Sequence, residues 1–195
     1  MSKIKIMVAA HKKFPMPGDR DLYMPVLVGA AKNYRDGIDY QRDDIGKNIS
    51  NKNPNYNELT AVYWSWKNLK DVDAIGLVHY RRLFSANRKN EPINKNQIET
   101  MLLQHDVILP KKRRYYIETM YSHYVHSHEK EPLDKLRELI AEDYPNYLRS
   151  FDDVLNSRSA HMFNMFVMKK EYFDSYAKFL FSVLGNLEEQ LDISN

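Results

Sequence analysis

The sequence predicts an α/β protein with a mostly parallel central sheet flanked by helices, and three observations carry that prediction. The stretches "KIKIMVAA" near the start and "AIGLVHY" from Ala74 are continuous apolar runs, as expected of buried strands. Between them, Leu59, Val62, Tyr63 and Trp66 recur at helical spacing and give one buried face. The order strand, loop, helix, strand is that of a parallel α/β sheet.

The elements follow in order. The first strand ends in a loop broken by Pro15, Pro17 and Gly18. "YMPVLVGAA" reads as a short second strand, and the polar stretch from Asn33 to Asn57 as a long loop of the kind that carries function. Asn55, with Glu58 three residues on, forms a capping box for the helix that runs to Asn68. After the strand at Ala74 come a helix in "NKNQIETMLLQ", a short strand in "HDVILP" stopped by Pro110, and a basic, aromatic loop-and-helix, "KKRRYYIETMYSHYVHSH". Two amphipathic helices, "PLDKLRELIAEDY" and "YLRSFDDVLNS", precede a continuous strand "AHMFNMFVMKK" and a last helix, "EYFDSYAKFLFSVLGNLEEQL". No repeat or linker divides the 195 residues, which read as one domain.

Composition narrows the function. A net charge of +3 is too small to argue for nucleic acid, and no nucleic-acid module is recognisable. The absence of cysteine removes disulfides and thiolate metal sites. The opening apolar run is too short for a signal peptide, so the chain is placed in the cytoplasm. With 6 glycines and no P-loop, G-x-G-x-x-G or G-x-S-x-G, any phosphate must be held by side chains and a few loop amides, which points away from kinases and dehydrogenases. The 14 tyrosines suit either a surface for flat or hydroxylated ligands or the edge of a core.

Ligands of open α/β sheets lie beyond the carboxyl ends of the strands. Here the first strand ends in Ala9, Ala10, His11 and Lys12, the one after the helix in His79, Tyr80, Arg81 and Arg82, and the next in Lys111 to Arg114. His161 and Asn164 lie before and within the last strand. Guanidinium groups match phosphate oxygens, so this edge is expected to hold a phosphorylated ligand. His123 and His126 share a helix face, but His128 falls away from both, so the three do not make a metal-ligand set.

The segments "NPNYNELTAVYWSWKNLKDVDAIGLVHYRRLF", "DVILPKKRRYYIETMYSHYVHSH" and "SAHMFNMFVMKKEYF" together resemble a bacterial family of capsular and exopolysaccharide glycosyltransferases, catalogued as DUF4422. The resemblance covers nearly the whole chain and implies a GT-A-like nucleotide-diphospho-sugar transferase fold over residues 1–195. Members usually continue past the last helix, so the chain is read as shortened at its C-terminal end relative to the family. GT-A enzymes ordinarily place an Asp-x-Asp motif where this chain has "HYRR". The resemblance therefore sets His79, Arg81 and Arg82 against the donor diphosphate in place of a metal, while leaving Mg²⁺ or Mn²⁺ open.

The donor set is then Ala9, His11, Lys12, Asn57, His79, Tyr80, Arg81 and Arg82. His123, His126, His161 and Asn164 face the acceptor. An inverting enzyme also needs a carboxylate base. Asp43, Asp44 and Glu58 are the candidates on or beside the long loop, with Asp44 and Glu58 the catalytic choices. The resemblance favours a UDP-sugar of galactose type as donor and a lipid-diphosphate-linked oligosaccharide as acceptor at the inner membrane face, where Lys111 to Arg114 would meet anionic headgroups. The alternative is a non-catalytic module that binds nucleotide sugar or glycan and assists polysaccharide assembly.

Overall fold

The computed structural model describes residues 2–85 and 91–191. Six strands form one sheet in the order β3-β2-β1-β4-β8-β5. They are β1 (Ile4–Ala10), β2 (Tyr23–Leu27), β3 (Gln41–Arg42), β4 (Ala74–His79), β5 (Val107–Ile108) and β8 (Phe166–Lys169). β1 pairs in parallel with both β2 and β4, and β2 with β3. β8 lies antiparallel between β4 and β5, so the sheet is mixed but mostly parallel.

Continuous apolar runs mark strands buried on both faces, and β1 and β4 are such strands. Ile4, Ile6 and Val8 pack with Val78, Ile98 and Val167. The alternating residues Met7, Ile75 and Leu77 are fully buried as well.

Five helices, with a turn of 3₁₀ helix at Ser50–Lys52, interleave with the early strands and follow the last. They are α1 (Ala30–Asn33), α2 (Asn53–Tyr56), α3 (Leu59–Asn68), α4 (Lys95–Gln104) and α8 (Lys170–Gln190). α4 starts in a reciprocal capping box. Gln97 N–H donates to Asn94 Oδ1 at 3.0 Å, and Asn94 N–H donates to Gln97 Oε1 at 3.0 Å. The box expected at Asn55 and Glu58 does not form. Asn55 lies inside α2, which starts early because Pro54 stands in its first turn. Glu58 has helical backbone angles and makes no side-chain cap. The expected strand 160–170 is also broken. It divides into β7 (Ser159–Ala160) and β8, with Phe163 (φ 74°) and Asn164 (φ 51°) left-handed between them.

The long loop is held by a buried acid. Asp43 is 0% exposed. Its Oδ2 accepts Gly29 N–H at 2.8 Å, and its Oδ1 accepts Ala30 N–H at 2.9 Å and the Ser50 hydroxyl at 2.5 Å. Gly29 has φ 61°, and a Cβ there would fall 2.5 Å from Asn53 Oδ1, so both backbone and space call for glycine. Farther along, Trp64 Nε1–H donates to Ile45 O at 2.7 Å, and Asn68 Nδ2–H to Lys47 O at 2.8 Å. A loop of this polarity is therefore rigid where it meets α3.

The chain clusters into two compact units, Met1–Pro110 with Phe163–Ala177, and Lys111–Met162 with Lys178–Asn195. The second contains a two-stranded sheet of β6 (Arg113–Arg114) and β7, with α5 (Met120–Val125), α6 (Glu131–Asp143) and α7 (Pro145–Asn156). Arg137 of α6 and Asp152 of α7 form a two-bond ion pair, each bond 2.8 Å. The ring of Phe179 stacks on Tyr147 at 4.9 Å and meets Tyr144 edge-on at 5.0 Å.

Replacing Asp43 by alanine leaves two buried amides and a hydroxyl without their acceptor. The expected loss is about 3 kcal/mol of unfolding free energy, read as a lower urea midpoint with an unchanged slope.

Candidate functional site

His79 ends β4, and residues 79–82 make a tight turn at its carboxyl end. His79 N–H donates to Arg82 O at 3.1 Å, and Arg82 N–H returns to His79 O at 2.9 Å. Tyr80 N–H donates to Ala9 O at 3.2 Å, which ties the turn to the neighbouring end of β1. Two adjacent parallel strands thus open onto one patch of surface, the place where such sheets bind ligands.

Aromatic faces support the cations of this turn. The Arg81 guanidinium lies 5.0 Å from the Tyr80 ring centre, and that of Arg82 lies 4.2 Å from the Phe163 ring centre. Tyr80 also meets His11 edge-on at 5.5 Å and Phe14 at 4.8 Å. Phe14 is fixed through its backbone, whose N–H donates to Tyr40 Oη at 2.8 Å and whose carbonyl accepts from the same hydroxyl at 2.7 Å. Lys12 is exposed in the same loop.

The carboxylate of the patch is Glu58. Asn164 Nδ2–H donates to Glu58 Oε1 at 2.8 Å, and His79 Nε2 stands 4.0 Å from that oxygen. His79 Nε2–H itself donates to Phe163 O at 2.5 Å. Tyr176 is close enough that the Glu58 charge adds to burial, the larger cause, in raising its phenol above the ordinary value.

Asn57, Phe163 and Asn164 are the non-glycine residues with positive φ among those described, and all three flank this group. Residues held in that region cost free energy and gather where geometry matters more than stability. Asn57 is held by Asn53, whose Nδ2–H donates to Asn57 O at 2.8 Å, and by the Thr60 hydroxyl, which donates to the same oxygen at 3.0 Å.

Of the residues singled out in the sequence, Ala9, His11, Asn57, Glu58, His79, Tyr80, Arg81, Arg82 and Asn164 come together here, all in the first unit. Asp44 is engaged elsewhere, since Arg42 donates to both of its oxygens at 2.9 and 2.6 Å. Asp43 is the loop anchor described above. His123, His126 and His161 belong to the second unit. Phe14, Tyr40, Phe163 and Tyr176 were not foreseen. They act through a backbone carbonyl, a ring face or a contact distant in sequence, and only the Phe–Asn pair carries a local signal, as Asn tolerates left-handed angles.

His123 and His126 share one partner. Their Nδ1 atoms lie 3.1 and 2.5 Å from the two oxygens of Glu118. His123 ring packing is completed by Tyr115, 4.3 Å between centres.

The chain belongs to the DUF4422 family, "Domain of unknown function (DUF4422)", whose model matches residues 5–195. It is also similar to a solved structure described as the WbbM bifunctional glycosyltransferase in its apo form. The two superpose with a TM-score of 0.82 at 31% identity, over 99% of this chain and 38% of that one. The chain therefore shares its α/β fold with part of a glycosyltransferase and spans well under half of that protein's length. Among proteins with curated descriptions, none matches the chain.

The paired histidines hold the Glu118 carboxyl below its ordinary value of 4.5, chiefly through their hydrogen bonds, that of His123 first and then that of His126. A carboxyl lowered in the folded state stabilises the fold above its unfolded value, and this contribution disappears as pH falls through the lower, folded value. Carboxyl titration by NMR is expected to show Glu118 moving up towards 4.5 in the H123A/H126A double variant.

Proposed function

We propose that the chain is a glycosyltransferase domain that moves a hexose, of galactose type, from a UDP-sugar to a lipid-linked oligosaccharide in capsular or exopolysaccharide assembly. The observation that supports it most is the convergence of the 79–82 turn, the loop after β1 and Glu58 at the carboxyl ends of two adjacent parallel strands. Similarity to part of a glycosyltransferase supports the reaction class.

In this reading Tyr80, Phe14 and His11 offer ring faces and edges to the nucleoside. Arg81 and Arg82 meet the diphosphate, whose negative charge grows as the bond from the sugar C1 to the phosphate oxygen breaks. The acceptor hydroxyl oxygen forms the new bond to C1, and its proton passes to Glu58. Asn164 occupies one lone pair of Glu58 Oε1, which fixes the carboxylate plane and leaves Oε2 to receive the proton. UDP departs with the bonding electron pair, balancing the transfer.

A divalent metal does not fit the turn. Its side chains are two guanidinium groups, the Tyr80 phenol and an imidazole whose Nε2–H is already donated to a carbonyl. Among the described residues no group of three His, Asp or Glu side chains is arranged to hold an ion. The cations of the turn are assigned the charge-neutralising role instead.

Thermal-shift and calorimetric titrations with UDP-sugars test the reading. Binding is expected to survive EDTA, and Arg81→Ala or Arg82→Ala to weaken it about tenfold or more. Glu58→Gln is expected to lower kcat about a hundredfold while donor affinity stays within about twofold. Donor binding without transfer to any glycoside would identify the non-catalytic module instead. Loss of all binding in EDTA would overturn the metal-free donor site.

A further inference from the structure

We propose that the arch between β6 and α5 is a membrane-docking element that seats the second unit on an anionic lipid surface. Tyr116 and Ile117 enter the headgroup region, and Lys111, Lys112, Arg113, Arg114 and Arg158 lie against the lipid phosphates.

The arch is built to present its tip. Arg113 and Arg114 pair with Ala160 and Ser159 in the small sheet. Tyr115 N–H then donates to Arg158 O at 2.7 Å, and Met120 N–H to Ser157 O at 2.8 Å. The chain leaves and rejoins neighbouring carbonyls of one segment, so the residues between have no course but outward. Thr119 closes the arch by capping α5, its hydroxyl oxygen accepting Ser122 N–H at 3.1 Å.

At the tip, Tyr116 is 82% and Ile117 88% exposed, among the most exposed large apolar side chains of the described residues. Ile117 gains no burial from the described residues and, with Tyr116 beside it, offers an apolar tip to a partner outside the arch.

Charge around the tip is mostly positive. Lys111 to Arg114 and Arg158 are all exposed, and among the described residues no carboxylate pairs with Lys111, Lys112, Arg113 or Arg114. The acid within the arch, Glu118, is taken up by His123 and His126. Tyr115 stays inward, against His123 and beneath the Arg113 guanidinium at 5.5 Å.

An aliphatic side chain with a tyrosine, ringed by cations, matches the layered chemistry of a bilayer surface, where apolar groups and anionic phosphates lie a few ångströms apart. Neither half suffices alone, because polybasic and shallow apolar contacts are each weak. A polynucleotide would satisfy the cations but gives an exposed isoleucine nothing to enter. The proposal stands independently of glycosyl transfer, since its test reads binding and not turnover.

Sedimentation of the full chain with phosphatidylcholine vesicles, with and without phosphatidylglycerol, tests it. Binding is expected only to the anionic vesicles and is expected to weaken with salt. Loss of each cation, as in Lys111→Gln or Lys112→Gln, is expected to cost about fivefold in partitioning. The pair Tyr116→Ser and Ile117→Ser is expected to cost about tenfold, with an unchanged circular dichroism spectrum. In a Tyr116→Trp variant, the difference emission over the Trp64 and Trp66 background is expected to shift to the blue and to be quenched by brominated acyl chains. Equal sedimentation of the wild type and the serine pair would overturn the proposal, as would an unshifted Tyr116→Trp emission. Tighter binding to single-stranded RNA, indifferent to Ile117, would also overturn it and make the surface a polyanion site.

Discussion

The buried carboxylate of Asp43 is the constraint from which the site geometry descends. It gathers the turn after β2 and the Ser50 hydroxyl onto one pair of oxygens. That brings Asn53 into the space a Cβ at Gly29 would fill, and Asn53 in turn holds the carbonyl of Asn57. Asn57 then takes a positive φ of 48°, α3 begins two residues later at Leu59, and Glu58 faces His79 and Asn164. A charge buried without its donors is strongly destabilising, so the carboxylate and its three partners stand or fall together. The orientation of Glu58 at the surface is thus set by an acid that solvent never touches.

Two electrostatic settings recur among the described cations. Arg137, Lys169 and Arg42 sit against carboxylates, which cancel much of their field and use them to join elements. Arg81 and Arg82 are backed by aromatic rings instead. A ring face orients a guanidinium without neutralising it, so its full charge and most of its N–H donors remain for an anion. Arg113 over Tyr115 follows the same rule in the second unit.

Much of the scaffold was legible in the sequence. Apolar runs long enough to be buried on both faces located β1 and β4, and the stretch "NKNQIETMLLQ" located the helix that is α4, though not its Asn94–Gln97 cap. The misreadings share a cause. Asn55 and Glu58 have the spacing of a capping box, but α2 has already begun at Asn53, with Pro54 in its first turn. The run around Phe163 is apolar enough for a strand, yet its carbonyl is drawn to His79, 84 residues away in sequence, and the backbone turns to meet it. Periodicity reports burial and is blind to such partners. "HYRR" was legible because its residue types are costly at a strand end. Phe14, Phe163 and Tyr176 look like ordinary core residues and declare themselves only in three dimensions.

The position of β8 bears on how the chain acquires its structure during synthesis. It is central in the sheet, between β4 and β5, yet it is the last strand in sequence. Until residues 166–169 have been made, β4 and β5 each keep an open edge of unpaired amides and carbonyls. Such edges invite pairing with other chains. The nascent protein is therefore most exposed to aggregation over the interval in which the second unit is being translated. The same four residues that close the sheet also end that interval.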